Sequence, residues 1–223
     1  GDFYIGKNTI NYFLSKGYEV IAFAMPTIGS NSKPTIFINN IGNLKIDSHD
    51  KLKFLDHKDQ SSSLKFFTLP ISGFLDKYLE KNNFESISMV GISGGGWTTT
   101  LVSALDTRIN YSFPVAGSLP IFLRRQFDFL DSENWDYDLY QKINYLHLYA
   151  LGSISQKNSK RLSLKILNRY DECCFSGNRY EYFYPKLKNI LDKIEENSFQ
   201  IFFDDSHSEH KISQETLEII HNK

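Results

Sequence analysis

Gly91-Ile92-Ser93-Gly94-Gly95 spells G-x-S-x-G, and its flanks give the motif its weight. Ser86-Ile87-Ser88-Met89-Val90 before it reads as a buried strand, and residues 96–105 after it read as a packed helix. A serine on a sharp strand-to-helix turn sits in strained backbone geometry with its oxygen exposed. The flanking glycines are required because side chains there would clash across so tight a turn. Such a turn demands a strand and a helix packed against each other.

The rest of the chain supplies more of both. Residues 8–15 read as a short helix with Ile10, Phe13 and Leu14 on one face and Gly17 as its stop. Residues 18–24 are a near-continuous apolar run, expected to be a strand buried on both faces, and residues 25–35 read as loop. Helical periodicity runs over 64–81 through Phe67, Ile71, Phe74, Leu75 and Leu79, with Pro70 early in it. After the Ser93 turn, strands are expected at 111–116, 162–168 and 199–203, and helices at 180–196 and 213–221, the last capped by Ser213. Strands alternating with helices predict a mostly parallel sheet with helices on both faces. With no repeat and no long linker, residues 1–223 read as one domain.

Composition narrows the classes. Hydrophobic residues make up 41% of the chain and aromatics 15%, which excludes a disordered chain. The net charge of -1 comes with no basic stripe, so nucleic acid is not an expected partner. No apolar run of about 18 residues is present, so no transmembrane segment is expected. The sequence opens on Gly1 with no visible signal peptide, which leaves location open. Cys173 and Cys174 are adjacent; the ring they would close is strained, so they are expected to be a small buried pair rather than a bridge or a redox switch.

A serine hydroxyl is a poor nucleophile at neutral pH and needs a base, with a third group to orient that base. Parallel sheets collect functional residues at the carboxyl ends of their strands. Asp171, just past the 162–168 strand, is the acid this search finds, with Glu172 beside it as a substitute. The base is His210 or His207, both past the last strand. His49, His57, His147 and His221 read as surface or satisfied core positions. The H-x-x-H spacing of His207 and His210 lacks the further ligands of a zinc site, so neither metal nor cofactor is expected.

These residues resemble the alpha/beta-hydrolase superfamily, in particular its carboxylesterase and dienelactone-hydrolase-like serine hydrolases. The resemblance rests on the G-x-S-x-G turn, on the chain order Ser93, Asp171, His210, and on His210-Lys211-Ile212-Ser213-Gln214-Glu215-Thr216-Leu217, which is similar to the H-x-I-S-x-E-x-L stretch around the histidine of small carboxylesterases. It implies an alpha/beta-hydrolase fold, a small-molecule ester substrate, Ser93 as nucleophile, His210 as base, Asp171 as its orienting acid, and the Gly94 backbone N–H as one oxyanion donor. A peptidase of the same fold and a non-catalytic hydrolase-like binding protein are the alternatives. The family draws its second oxyanion donor from a loop after an earlier strand, and this sequence opens inside or just past that loop, so the first strands are expected to be missing. The aromatic stretch of about 119–145 lies where the family inserts a cap. Trp135, Tyr137 and Tyr140 would line a pocket or pack the cap, Asp136 and Asp138 would be solvated, and Arg124 and Arg125 are expected as a surface pair unless they bind an anionic substrate.

Overall fold

The computed structural model of the protein describes residues 3–56, 62–125, 132–157 and 159–223, with side chains from residue 6 on. Gly1, His57, Phe127 and Phe129 lie outside them. Helix α1 (Phe3–Ser15) begins earlier than its periodicity predicts and stops at Gly17, which has a φ of 84°. A hairpin of β1 (Thr35–Ile38) and β2 (Gly42–Lys45) follows, turned through Asn40 and Gly42 at φ values of 67° and 92°. The short α2 (His49–Leu52) and the long α3 (Lys65–Leu79), with Pro70 inside it, lead to β3 (Ser88–Ile92) and α4 (Gly94–Leu105). Then come β4 (Tyr111–Val115), α5 (Tyr137–Tyr140), α6 (Tyr145–Leu151), β5 (Leu162–Asn168), α7 (Tyr180–Leu191), β6 (Phe199–Asp204) and α8 (Gln214–His221). Helix α7 ends short of the expected residue 196 because the Asn197 amide donates to the carbonyls of Leu191 and Ile194 and closes the chain there.

Strands β3 to β6 form one parallel sheet in sequence order. Ile92, Val115, Ile166 and Phe202 are register partners across it, so the four carboxyl ends finish side by side. The sheet is covered on both faces. On one, Phe113, Val115, Leu164 and Ile166 pack with Phe13 of α1 and with Leu217 and Ile220 of α8. On the other, Leu167 and Phe199 join Trp97, Leu148, Tyr149, Phe183 and Leu187 from α4, α6 and α7. Helix α3 packs on α4 through Ile71, Leu75 and Val102. All seven residues of β5 are buried, as a central parallel strand requires. The result is a four-stranded parallel sheet with helices on both faces, as the alternation of strands and helices predicts.

Residues 18–24 do not form the expected strand. Tyr18, Ile21 and Phe23 are about two-fifths exposed (40%, 41% and 43%). A strand exists only through a ladder partner, and here the free edge of β3 is held away by a groove of about 500 Å³ lined by Ala22, Ala24, Phe74, Met89 and Gly91. The apolar run is right for a strand, but among the described residues no strand pairs with it.

The crossing of β3, α4 and β4 depends on bare backbone. A Cβ on Gly96 would sit 2.5 Å from the Val115 carbonyl oxygen and 3.0 Å from that of Gly91, whereas a Cβ on Gly95 would meet nothing within 4 Å. Gly96→Ala is therefore expected to cost about 1–3 kcal/mol of stability through overpacking. Gly95→Ala is expected to lose none. Thermal unfolding of the two variants beside the parent checks this contrast.

Candidate active site

Ser93 stands between the last residue of β3 and the first of α4 with φ 56° and ψ -124°, a region that L-residues seldom enter. Its amide donates to the Val115 carbonyl at 3.0 Å, and its carbonyl accepts from the Trp97 amide at 2.9 Å. The neighbouring strand and the new helix thus fix the turn from both sides. A Cβ on Gly94 would run into the Met25 thioether, so Met25 lies directly over this turn.

Asp171 and His210 arrive from the neighbouring pair β5 and β6. Asp171 follows the end of β5 and is 5% exposed as a residue, with a fully buried side chain. Its Oδ1 accepts the amides of Cys173 (2.8 Å) and Cys174 (3.4 Å). Its Oδ2 lies 2.7 Å from His210 Nδ1 and accepts from Asn168 Nδ2 at 3.3 Å. Burial disfavours the charge, but the bonds from the His210 ring and the two amides outweigh it and hold the carboxyl below its ordinary range. His210 Nε2 is buried and has no hydrogen-bond partner among the described residues. The structure therefore joins Asp171 to His210, while no hydrogen bond links that imidazole to Ser93.

His207 occupies a different place. Its Nε2 lies 3.4 Å from Asp204 Oδ2 and its ring is 5% exposed. Asp204 is already saturated by Ser206, Ser213 and Thr216, whose hydrogen bonds outweigh the cost of burial and hold it down at about 2. This second carboxylate ties the end of β6 to the cap of α8, where Ser213 Oγ accepts the Thr216 amide at 2.9 Å. Glu172 is exposed and bonds Ser208 rather than either histidine. His49 is buried between Glu133 Oε1 and the Pro26 carbonyl, each 2.9 Å from a ring nitrogen, which is a satisfied core position. His221 reaches the Tyr18 hydroxyl and His147 is exposed.

Three expectations are corrected. Cys173 and Cys174 are joined by a disulfide, and Cys173 is exposed. The turn wraps both cysteine amides around Asp171 Oδ1, which sets the two side chains next to each other. Arg124 is buried rather than a surface residue, because Leu119, Tyr145 and Phe175 enclose it; Arg125 is exposed. Asp136 is not solvated: it caps α5, accepting the Leu139 amide at 2.9 Å, while Asp138 is exposed. Of the aromatic stretch, Trp135 and Tyr137 face outward, and Tyr140 packs inward to accept Trp97 Nε1–H at 2.8 Å.

Cys173, Cys174 and His210 place one potential ligand atom each within 4.8 Å of one another. The two sulfurs are bonded to each other, and the metal ligand is the thiolate, so this group does not fit a metal ion in the disulfide state.

No family model matches the sequence, and no curated protein matches it. Among solved structures, an acetyl xylan esterase from Paenibacillus sp. R4 is similar at 15% identity and a TM-score of 0.45, over 73% of this chain and 52% of that one. Est1E from Butyrivibrio proteoclasticus, solved with ferulic acid bound, is similar at 18% identity and a TM-score of 0.46, over 76% of this chain and 67% of that one. This chain thus spans about half the length of the first (52%) and two-thirds of the second (67%).

The strained turn makes its own prediction. A non-glycine residue held at such a φ costs about 1–3 kcal/mol. Ser93→Gly is expected to raise the unfolding midpoint relative to Ser93→Ala. Equal midpoints for the two variants would show that the backbone at residue 93 stores no strain.

Proposed function

We propose that this chain is a serine hydrolase that cleaves carboxylic esters through an acyl-enzyme. Ser93 Oγ attacks the ester carbonyl carbon while His210 Nε2 takes its proton. Asp171 keeps the other ring proton on Nδ1 and stabilises the imidazolium that forms. The Gly94 N–H, at the first turn of α4, donates to the oxygen as it becomes an anion. Collapse of the tetrahedral intermediate breaks the carbon–oxygen bond to the alcohol, which leaves with the proton from His210. Water then attacks the acyl-enzyme, with the same imidazole as base, and releases the acid and free Ser93.

The observation that carries this reading is the 2.7 Å contact between the buried Asp171 carboxylate and His210 Nδ1. It leaves Nε2, buried and without a partner among the described residues, as the nitrogen able to take a proton. His207 is the poorer base because the carboxylate beside it is already saturated by Ser206, Ser213 and Thr216.

Fluorophosphonate labelling tests this without knowledge of the substrate. Wild type and His207→Ala are expected to label, and Ser93→Ala is not. Asp171→Asn is expected to slow ester turnover about 10⁴-fold by releasing the ring from its tautomer. Labelling that persists in Ser93→Ala, or that vanishes in His207→Ala while His210→Ala retains it, would overturn the assignment.

A further inference from the structure

Arg124 is 9% exposed, and its Nη1 and Nη2 are buried without a hydrogen-bond partner. Its Nε donates to the Leu119 carbonyl at 2.9 Å. The guanidinium lies over two aromatic rings, 4.6 Å from the centre of Tyr145 and 5.6 Å from that of Phe175. Close by, the fully buried Lys165 on β5 donates to Ser118 Oγ at 3.2 Å and lies 4.3 Å over the Tyr149 ring. No carboxylate pairs with either cation among the described residues. A buried guanidinium with two bare nitrogens is expensive unless something negative meets it. Aromatic faces recover only part of that cost.

The surroundings join this cation to the elements that carry the proposed chemistry. Tyr145 stacks on Tyr140 at 4.6 Å, and Tyr140 accepts Trp97 Nε1–H from α4, the helix that Ser93 begins. Phe175, the second ring, belongs to the turn that carries Asp171 and the cysteine pair. Ser118, which receives the Lys165 ammonium, follows the end of β4 between the two.

We infer that Arg124 is the carboxylate-binding residue of an anionic subsite, with Nη1 and Nη2 gripping the two oxygens of a carboxylate on the acyl or alcohol part of the ester. This inference rests on the ester-hydrolase reading for the substrate's identity, but not for binding itself. The choice of a carboxylate follows from shape and charge. Two free, coplanar nitrogens match the two oxygens of a carboxylate, and the rings of Tyr145 and Phe175 under the guanidinium keep its fork in place. Lys165 is pushed down to about 7 by burial and by the Arg124 charge, so Arg124 is the more firmly charged of the two cations.

Two measurements on the full chain test this. In the first, acetate replaces chloride at constant ionic strength, and the unfolding midpoint is followed for wild type, Arg124→Met and Arg124→Lys. A saturable rise is expected in wild type, a smaller one in Arg124→Lys, which keeps charge but not the fork, and none in Arg124→Met. In the second, kcat/KM is compared for two nitrophenyl esters of equal chain length, one acyl chain ending in carboxylate and the other in methyl. Wild type is expected to prefer the acidic ester about tenfold or more, with the ratio falling to about one in Arg124→Met.

The same acetate response in wild type and Arg124→Met, or none in either, overturns the site. An Arg124-dependent acetate response without preference for the acidic ester upholds the site for a free carboxylate and removes it from substrate recognition. An acetate response with neither ester hydrolysed leaves the anion site standing and sinks the hydrolase reading instead.

Discussion

The in-register alignment of β3, β4, β5 and β6 is the constraint on which the site depends. Ile92, Val115, Ile166 and Phe202 form one row of the sheet; β3 and β4 end on it and β5 and β6 run two residues past it, so the loops leave the carboxyl ends close to one level. Ser93 is the residue after β3, Ser118 follows β4, Asp171 follows β5, and His210 follows β6. Adjacent strands are about 4.8 Å apart, so these four positions start within one patch although they are far apart in sequence. A slip of one residue in any strand would turn its side chains to the opposite face and dismantle both the core and the patch.

Two buried carboxylates at the carboxyl end of the sheet have different surroundings. Asp204 gives its oxygens to Ser206, Ser213 and Thr216, all within the segment it anchors. Its full set of hydroxyl donors makes it a fixed peg for the cap of α8. Asp171 divides its acceptors between the backbone of its own turn and a histidine ring from the next strand's loop. The first kind of environment holds a chain segment, and the second holds an imidazole in one orientation. The unpaired Arg124 belongs to neither, which is why its bare nitrogens point to a ligand rather than to the fold.

Much of this was legible from residue order alone. The seven residues of β5 were bounded correctly, and Ser213 was found as a cap because its hydroxyl precedes an amphipathic run. Residues 18–24 were misread because apolar pattern reports burial, whereas a strand also needs a partner at its edge. The hairpin of β1 and β2 escaped notice: Phe37 is 70% exposed, so its pattern carries little of the apolar signal that marks a buried strand. Asp171 and His210 were nominated by position, but their contact depends on loop paths that local periodicity does not encode. The cysteine bridge and the burial of Arg124 depend likewise on how turns fold over one another. Lys165 did carry a signal: it is the one charged residue of the strand Leu162–Asn168, and such a charge in a strand buried on both faces marks a buried polar cluster.

The most direct test of the central claim is the proton spectrum of the His210 Nδ1–H in protein labelled with nitrogen-15 at histidine. Held on the Asp171 carboxylate, this proton is expected far downfield, to be absent in Asp171→Asn and His210→Ala, and to move when a fluorophosphonate occupies Ser93. A downfield resonance that survives Asp171→Asn and disappears in His207→Ala would place the working imidazole at His207 and contradict the account.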